Sequence, residues 1–278
     1  MMMRSNQVRI LALKEFQDAF LNKWFWLYTI IFLVLSLGLA TFGLSGMGAY
    51  GLAGYGRTTA SLINVVMLIV PLMSLTLGAA SIANEKERGT LLYLRTHPIL
   101  ESEILLGKYA GLALALATSL GLGFGLTGFS LGLRTGFAQI GNYLILTGLA
   151  FCLALVNLGL GLLISSFSNR SSTATGSALF LWLALVFLSD LGLLGATVVL
   201  KLRGAELLGL AMINPVQVFK LLSIWFIRGG LEVLGPAGLY AMRTYGDLFP
   251  IILGSILVAW IILPLAGAVV IFNKKGGL

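Results

Sequence analysis

The chain has very few of the residues from which catalytic centres and soluble surfaces are built. It holds one cysteine, Cys152, and one histidine, His97, among 278 residues. A lone cysteine excludes an intrachain disulfide framework and a cysteine-rich metal cluster. No His, Cys and Asp residues fall at the spacings of a metal site, so no metal ligands are expected. His97 stands beside Pro98 and reads as a loop residue rather than a ligand. Charge is equally scarce: 10% of residues are charged and 58% hydrophobic, against roughly 25% and 45–50% in an ordinary soluble domain. So few charges could not clothe a soluble surface. No GxxxxGK[ST] occurs either. Gly107-Lys108 continues to Tyr109 without the upstream glycine, so the chain lacks a backbone cradle for nucleotide phosphates. No convincing catalytic pair is present, and an intramembrane enzyme is disfavoured.

Apolar length is abundant. About 20 helical residues cross a bilayer core, and six stretches qualify: 24–44, 58–83, 104–133, 142–166, 173–200 and 248–272. The expected fold class is an all-α integral membrane protein with six transmembrane helices, one membrane domain over 1–278. Buried helices of a large soluble protein fail on length and number. The basic residues set the orientation. Arg4, Arg9, Lys14, Lys23, Lys86, Arg88, Arg95, Lys108, Arg170, Lys274 and Lys275 fall on one side. Arg57, Arg134, Lys201, Arg203, Lys220, Arg228 and Arg243 fall on the other, which places both termini in the cytoplasm. The first 23 residues carry both signs of charge and no small-residue cleavage pattern, so a cleavable leader is not expected. Met1, Met2 and Met3 leave the start site open.

Residues 5–23 set Val8, Leu11, Phe16, Ala19 and Phe20 near one helical face, with Arg9, Lys14 and Asp18 elsewhere. Trp24 and Trp26 follow at headgroup depth. Segment 1–23 is predicted to be an interfacial helix on the inner leaflet, the alternative being a plain extension of the first span. Pro71 predicts a kink in the second span. Gly121, Gly125, Gly128 and Gly132 predict close packing of the third span within this chain. Met67 and Met73 are soft enough to touch copper but read as packing.

Segment 201–247 is read as periplasmic, with Asn214-Pro215 starting a short helix. Lys220 and Arg228 interrupt its apolar run. It is therefore predicted to dip into the outer interface as an interfacial or re-entrant helix, a seventh tilted span being the alternative. Three polar residues inside spans are candidates for a translocation path: Asp190, Asn64 and Asn157. A carboxylate in a span is costly and faces a cavity or a partner. Asp190 reads equally as a gating group or as a structural hydrogen bond. The two amides can simply hold helices together.

The charged loop at 84–103 is the most informative segment. Asn84 followed by Glu87 fits a capped helix start, with Glu85 and Glu87 at the positive helix end. The helix is expected to stop before His97-Pro98. A capped helix of about three turns between two spans can dock into a partner and carry motion.

The string ERGTLLYLRTHPI, followed by EILLGK, resembles the signature of ABC-2-type permeases, the membrane subunits of ATP-driven transporters. Glu87, Gly89, Thr90, Leu91, Pro98, Glu103, Leu106, Gly107 and Lys108 carry the match. Leu100-Glu101 departs from the Ser-Arg often found there, which weakens the expected cap of the third span. A narrower resemblance, through KEFQDAFLNKWFW, GTLLYLRTHPI and NPVQVFKLL, is to the permease subunits of nitrous-oxide-reductase maturation transporters. The resemblance implies a homodimer in the bacterial inner membrane with two cytoplasmic ATPases that bind ATP and Mg, and a periplasmic β-helical partner. It implies ATPase coupling through Asn84, Glu85, Lys86, Glu87, Arg88, Gly89, Thr90, Leu91 and Arg95. Pro215, Phe219, Lys220 and Arg228 become candidates for contact with the periplasmic partner. The expected function is transport of a sulfur species or related small solute for copper–sulfur centre assembly. The alternatives are a mechanical relay without flux and a generic exporter of drug, lipid or glycan.

Overall fold

The computed structural model describes all residues except 1, 46–50, 92–99, 137–139, 199–201, 232–235 and 276–278. Among the described residues the chain is helical throughout and contains no strand. Helix α1 covers Met2–Leu21, α2 Lys23–Ser45, α3 Gly51–Glu87, α4 Glu101–Thr135 and α5 Ile140–Phe167. Next come α6, Ser171–Leu183, a π-helical turn at Ala184–Leu188 and α7, Ser189–Val198. Then follow α8, Gly204–Ile213; α9, Pro215–Arg228; α10, Pro236–Tyr245; and, after a 3₁₀ turn, α11, Phe249–Lys275. Among the described residues, six segments are long and apolar enough to cross a membrane: Lys23–Thr41, Ser61–Glu87, Glu101–Leu133, Ile140–Phe167, Ser171–Leu193 and Ala237–Lys274.

The second and fourth spans form the centre of the bundle because glycine lets their backbones touch. A Cβ on Gly78 would sit 2.7 Å from the Leu158 carbonyl oxygen, and one on Gly161 would sit 2.5 Å from that of Leu75. One turn on, Ser165 Oγ accepts from the N–H groups of Ile82 and Ala83 at 3.0 and 2.9 Å. Helix α3 runs through Pro71 without a break. The Trp182 indole of the fifth span donates to the Leu68 carbonyl on the same stretch at 2.9 Å.

The third span uses only part of the expected set of glycines and adds another. Gly121 and Gly125 face open space, whereas Gly123 lies against the Phe32 ring and Gly128 against Tyr143. Hydroxyl pairs also join α2 to α4, Thr29 with Ser119 at 2.8 Å and Thr127 with Ser36 at 3.0 Å. Nearer its start, α4 offers Gly107 and Gly111 to α1, where a Cβ on Gly107 would meet Leu11 Cβ at 2.7 Å. Leu11, Ala12 and Ala19 of α1 are buried. Asn22 then caps α2 by accepting the Trp24 N–H at 2.9 Å, and Trp26 Nε1 donates to the Phe20 carbonyl at 2.8 Å. The cap of α4 comes from Glu103, whose carboxylate accepts the Leu100 N–H at 3.1 Å.

Helices α8 and α9 meet at Asn214 with a bend of 114°. The short helix expected after Asn214-Pro215 is present, and the bend suits its re-entrant form; the packing adds which of its residues lie inside the protein. Val216, Gln217, Val218, Phe219, Leu222 and Ser223 are all buried in the protein. One face of α9 packs into the bundle, and its Gln217 and Lys220 meet Asp190 on the fifth span.

Candidate functional site

Glu85, Lys86 and Glu87 end α3, and each of these consecutive side chains reaches a different element. Glu85 Oε1 lies 2.8 Å from Lys108 Nζ on α4 and 3.8 Å from Lys14 Nζ on α1. Lys108 is 1% exposed and also donates to Glu15 of α1, at 2.6 Å. An ammonium this deep is tolerable only with counter-charges in contact, and here two carboxylates share it. The Lys86 ammonium donates to the carbonyls of Ser166 at 2.8 Å and Ser168 at 3.1 Å. It therefore neutralises the negative end of α5. Glu87 Oε2 accepts the Ser171 N–H at 2.9 Å and so caps the start of α6. One helix end is thereby fastened to α1, α4, α5 and α6.

The chain turns directly after this node. Arg88 N–H donates to the Asn84 carbonyl at 3.0 Å, Gly89 N–H to that of Lys86 at 3.2 Å, and Thr90 Oγ1 to that of Glu85 at 3.3 Å. Gly89 takes φ of +72°, a left-handed conformation that glycine adopts without strain. The expectation that Asn84 starts a helix is thus corrected: Asn84 to Glu87 are the last turn of α3, and helical residues resume at Thr90. The cap signature misled because acceptor and acid at that spacing also suit a helix end whose charges bond elsewhere. Arg88, Gly89 and Thr90 are exposed, while Leu91 is buried among Leu11, Ile82 and Ile104. Arg95, like His97 and Pro98, lies outside the described residues.

A second constellation joins the fifth span to the α8–α9 hairpin. Asp190 Oδ1 accepts from Gln217 Nε2 at 2.6 Å and from Lys220 Nζ at 3.2 Å. One turn earlier, Asn214 Nδ2 donates to the Leu185 carbonyl at 2.7 Å, while its Oδ1 accepts the Val216 N–H at 2.8 Å and caps α9. Pro215 and Phe219 are buried, so they present no surface to another protein. Lys220 is partly exposed beside Asp190; Arg228 ends α9, and its side chain lies outside the described residues.

The three polar candidates do not form one cluster. Asn64 is exposed on α3. Asn157 is fully buried, its Nδ2 donating to the Leu153 carbonyl at 2.8 Å, and its Oδ1 meets no donor among the described residues. No hydrogen bond joins Asn64, Asn157 and Asp190 to one another. Met67 and Met73 are core residues, with Ser119 Oγ 3.8 Å from the Met73 sulfur. Sequence reasoning missed Glu15. Its signal was an acid on the α1 face that otherwise carries Leu11, Ala12 and Ala19. Lys108, inside an apolar run between Gly107 and Gly111, was the matching signal on α4.

The comparisons agree with this architecture. A family model described as ABC-2 family transporter protein matches residues 9–276. A Stutzerimonas stutzeri protein named "Probable ABC transporter permease protein NosY" is 33% identical over 282 residues, covering 97% of this chain and 99% of that protein. The Pseudomonas aeruginosa protein of the same name is 32% identical over 220 residues, covering 77% and 80% respectively. With six spanning helices and these relatives, the chain belongs to the ABC-2 family of transporter proteins, as a multi-pass membrane permease subunit.

Proposed function

We propose that this chain is half of a homodimeric permease in the bacterial inner membrane, driven by two cytoplasmic ATPases that bind ATP and Mg. Its task is to move a sulfur species or related small solute for maturation of the copper–sulfur centre of nitrous-oxide reductase, with a periplasmic β-helical protein as a further partner. The carrying observation is the node at Glu85, Lys86 and Glu87. The exposed turn Arg88-Gly89-Thr90 follows the node directly, so force applied to it reaches four helices at once. Arg88, Thr90 and Arg95 supply the ATPase contact, while Glu85, Lys86 and Glu87 transmit it. Both termini lie on the cytoplasmic side in this reading. The likeness to proteins named NosY, over nearly the whole chain, supports the narrower assignment.

The test is reconstitution of the permease with its partner ATPase in sealed vesicles. ATP-dependent movement of a labelled sulfur species is the expected result. ATP hydrolysis that moves a periplasmic partner without any flux would replace transport by mechanical relay.

A further inference from the structure

The π-helical turn at Ala184–Leu188 has a consequence for the fifth span. In an α-helix the Ser189 N–H would bond to the Leu185 carbonyl, four residues back. Here it bonds to Ala184 instead, so Leu185 loses its main-chain donor. Asn214, at the apex of the α8–α9 hairpin, fills that vacancy at 2.7 Å. A part-buried carbonyl left without a donor is destabilising, so the side chain of Asn214 decides whether the π turn is tolerable. In the same register, Asp190 meets Gln217 and Lys220. The turn is one residue longer than an α-helix needs; such bulges occur mostly as single turns inside α-helices, frequently at functional sites.

We propose that the fifth span is a two-register switch, latched in the π register by Asn214 of the hairpin, the register in which Asp190 meets Gln217 and Lys220. When Asn214 withdraws, the Ser189 N–H recaptures the Leu185 carbonyl and the turn becomes α-helical. The helix beyond it then advances by one residue, a rotation of about 100°. Ser189 moves into the place that Asp190 held, and Asp190 leaves Lys220. Release of the hairpin and rotation of α7 are thus one event. The inference rests on this geometry and not on the identity of the solute.

The register can be read by cross-linking in the full-length permease, with Cys152→Ser as background and no ATPase present. Lys220→Cys is combined with either Asp190→Cys or Ser189→Cys, and disulfide formation is followed under mild oxidation. With Asn214 intact, the 190–220 pair should form at least tenfold faster than the 189–220 pair. Asn214→Ser keeps a capping oxygen for Val216 but cannot reach Leu185, and it should reverse that preference. Deleting Phe187 removes the extra residue and should hold the 190–220 pair whatever stands at 214. Unchanged preference in Asn214→Ser, no 190–220 product with Asn214 present, or dependence on residue 214 in the deletion would each overturn the switch. None of these results depends on flux, so the switch can fail while the transport reading stands.

Discussion

Lys108→Met offers the most direct measure of the node. The substitution keeps the length and apolar stem of the side chain but removes an ammonium that is 1% exposed. Two carboxylates are left behind, Glu15 and Glu85, with side chains 8% and 14% exposed and both formerly in contact with the same nitrogen. Breaking a buried pair by deleting one partner costs about 3–5 kcal/mol, mostly the penalty of the stranded charge. Lys14, 3.8 Å from Glu85 but half exposed, offsets little of it. For a chain of this size each kcal/mol corresponds to roughly 2–4 °C in the unfolding midpoint, so the expected loss is on the order of 10 °C. The assay is thermal unfolding of the detergent-solubilised permease, followed by tryptophan fluorescence. The triple variant Glu15→Gln, Glu85→Gln and Lys108→Met carries no stranded charge and should recover most of the loss, since fully neutral replacements of buried ion sets are often near neutral. An unchanged midpoint in Lys108→Met, or a triple variant no better than the single one, would refute the reasoning.

Reversing the charges at the turn, with Glu87→Lys and Arg88→Glu together, should leave membrane insertion normal but weaken ATPase binding or abolish ATP-dependent function. Full activity with unchanged ATPase affinity would remove this turn from coupling. Gly161→Ala places a Cβ 2.5 Å from the Leu75 carbonyl oxygen and should lower the unfolding midpoint or abolish expression, whereas Gly121→Ala meets open space and should match the parent within error. Equal stability of the two would contradict the close backbone crossing. In a Cys152→Ser background, single cysteines replacing the exposed residues Ala205 and Leu239 should both react with a membrane-impermeant thiol reagent added from the periplasmic side. Labelling from opposite sides would make α8 and α9 a seventh span.

The spans were legible because bilayer crossing is a property of local composition. Apolar runs near 24–44 and 142–166 needed no knowledge of neighbours, and the helices at Lys23–Thr41 and Ile140–Phe167 correspond to them. The charged motif around Glu87 and Gly89 was legible as a family resemblance, and the left-handed φ at Gly89 gives one of its residues a physical reason. The role of Asn84 was misread because the same residue types serve both helix ends once their charges have distant partners. What α9 packs against was not legible for a related reason. The partner of its partly exposed Lys220 is Asp190, thirty residues earlier in the chain.

By itself, then, the sequence determined an all-helical, six-span membrane protein and the position of its charged loop, since hydropathy and turn chemistry act over a few residues. Only the tertiary structure decided which glycines let helices touch, which carboxylates share Lys108, and which carbonyl Asn214 completes. Lys108 and Glu15, for instance, lie 93 positions apart. In a low-dielectric interior a charge or an orphaned carbonyl is tolerated only if its partner arrives there too, and the packing of the helices determines whether it does.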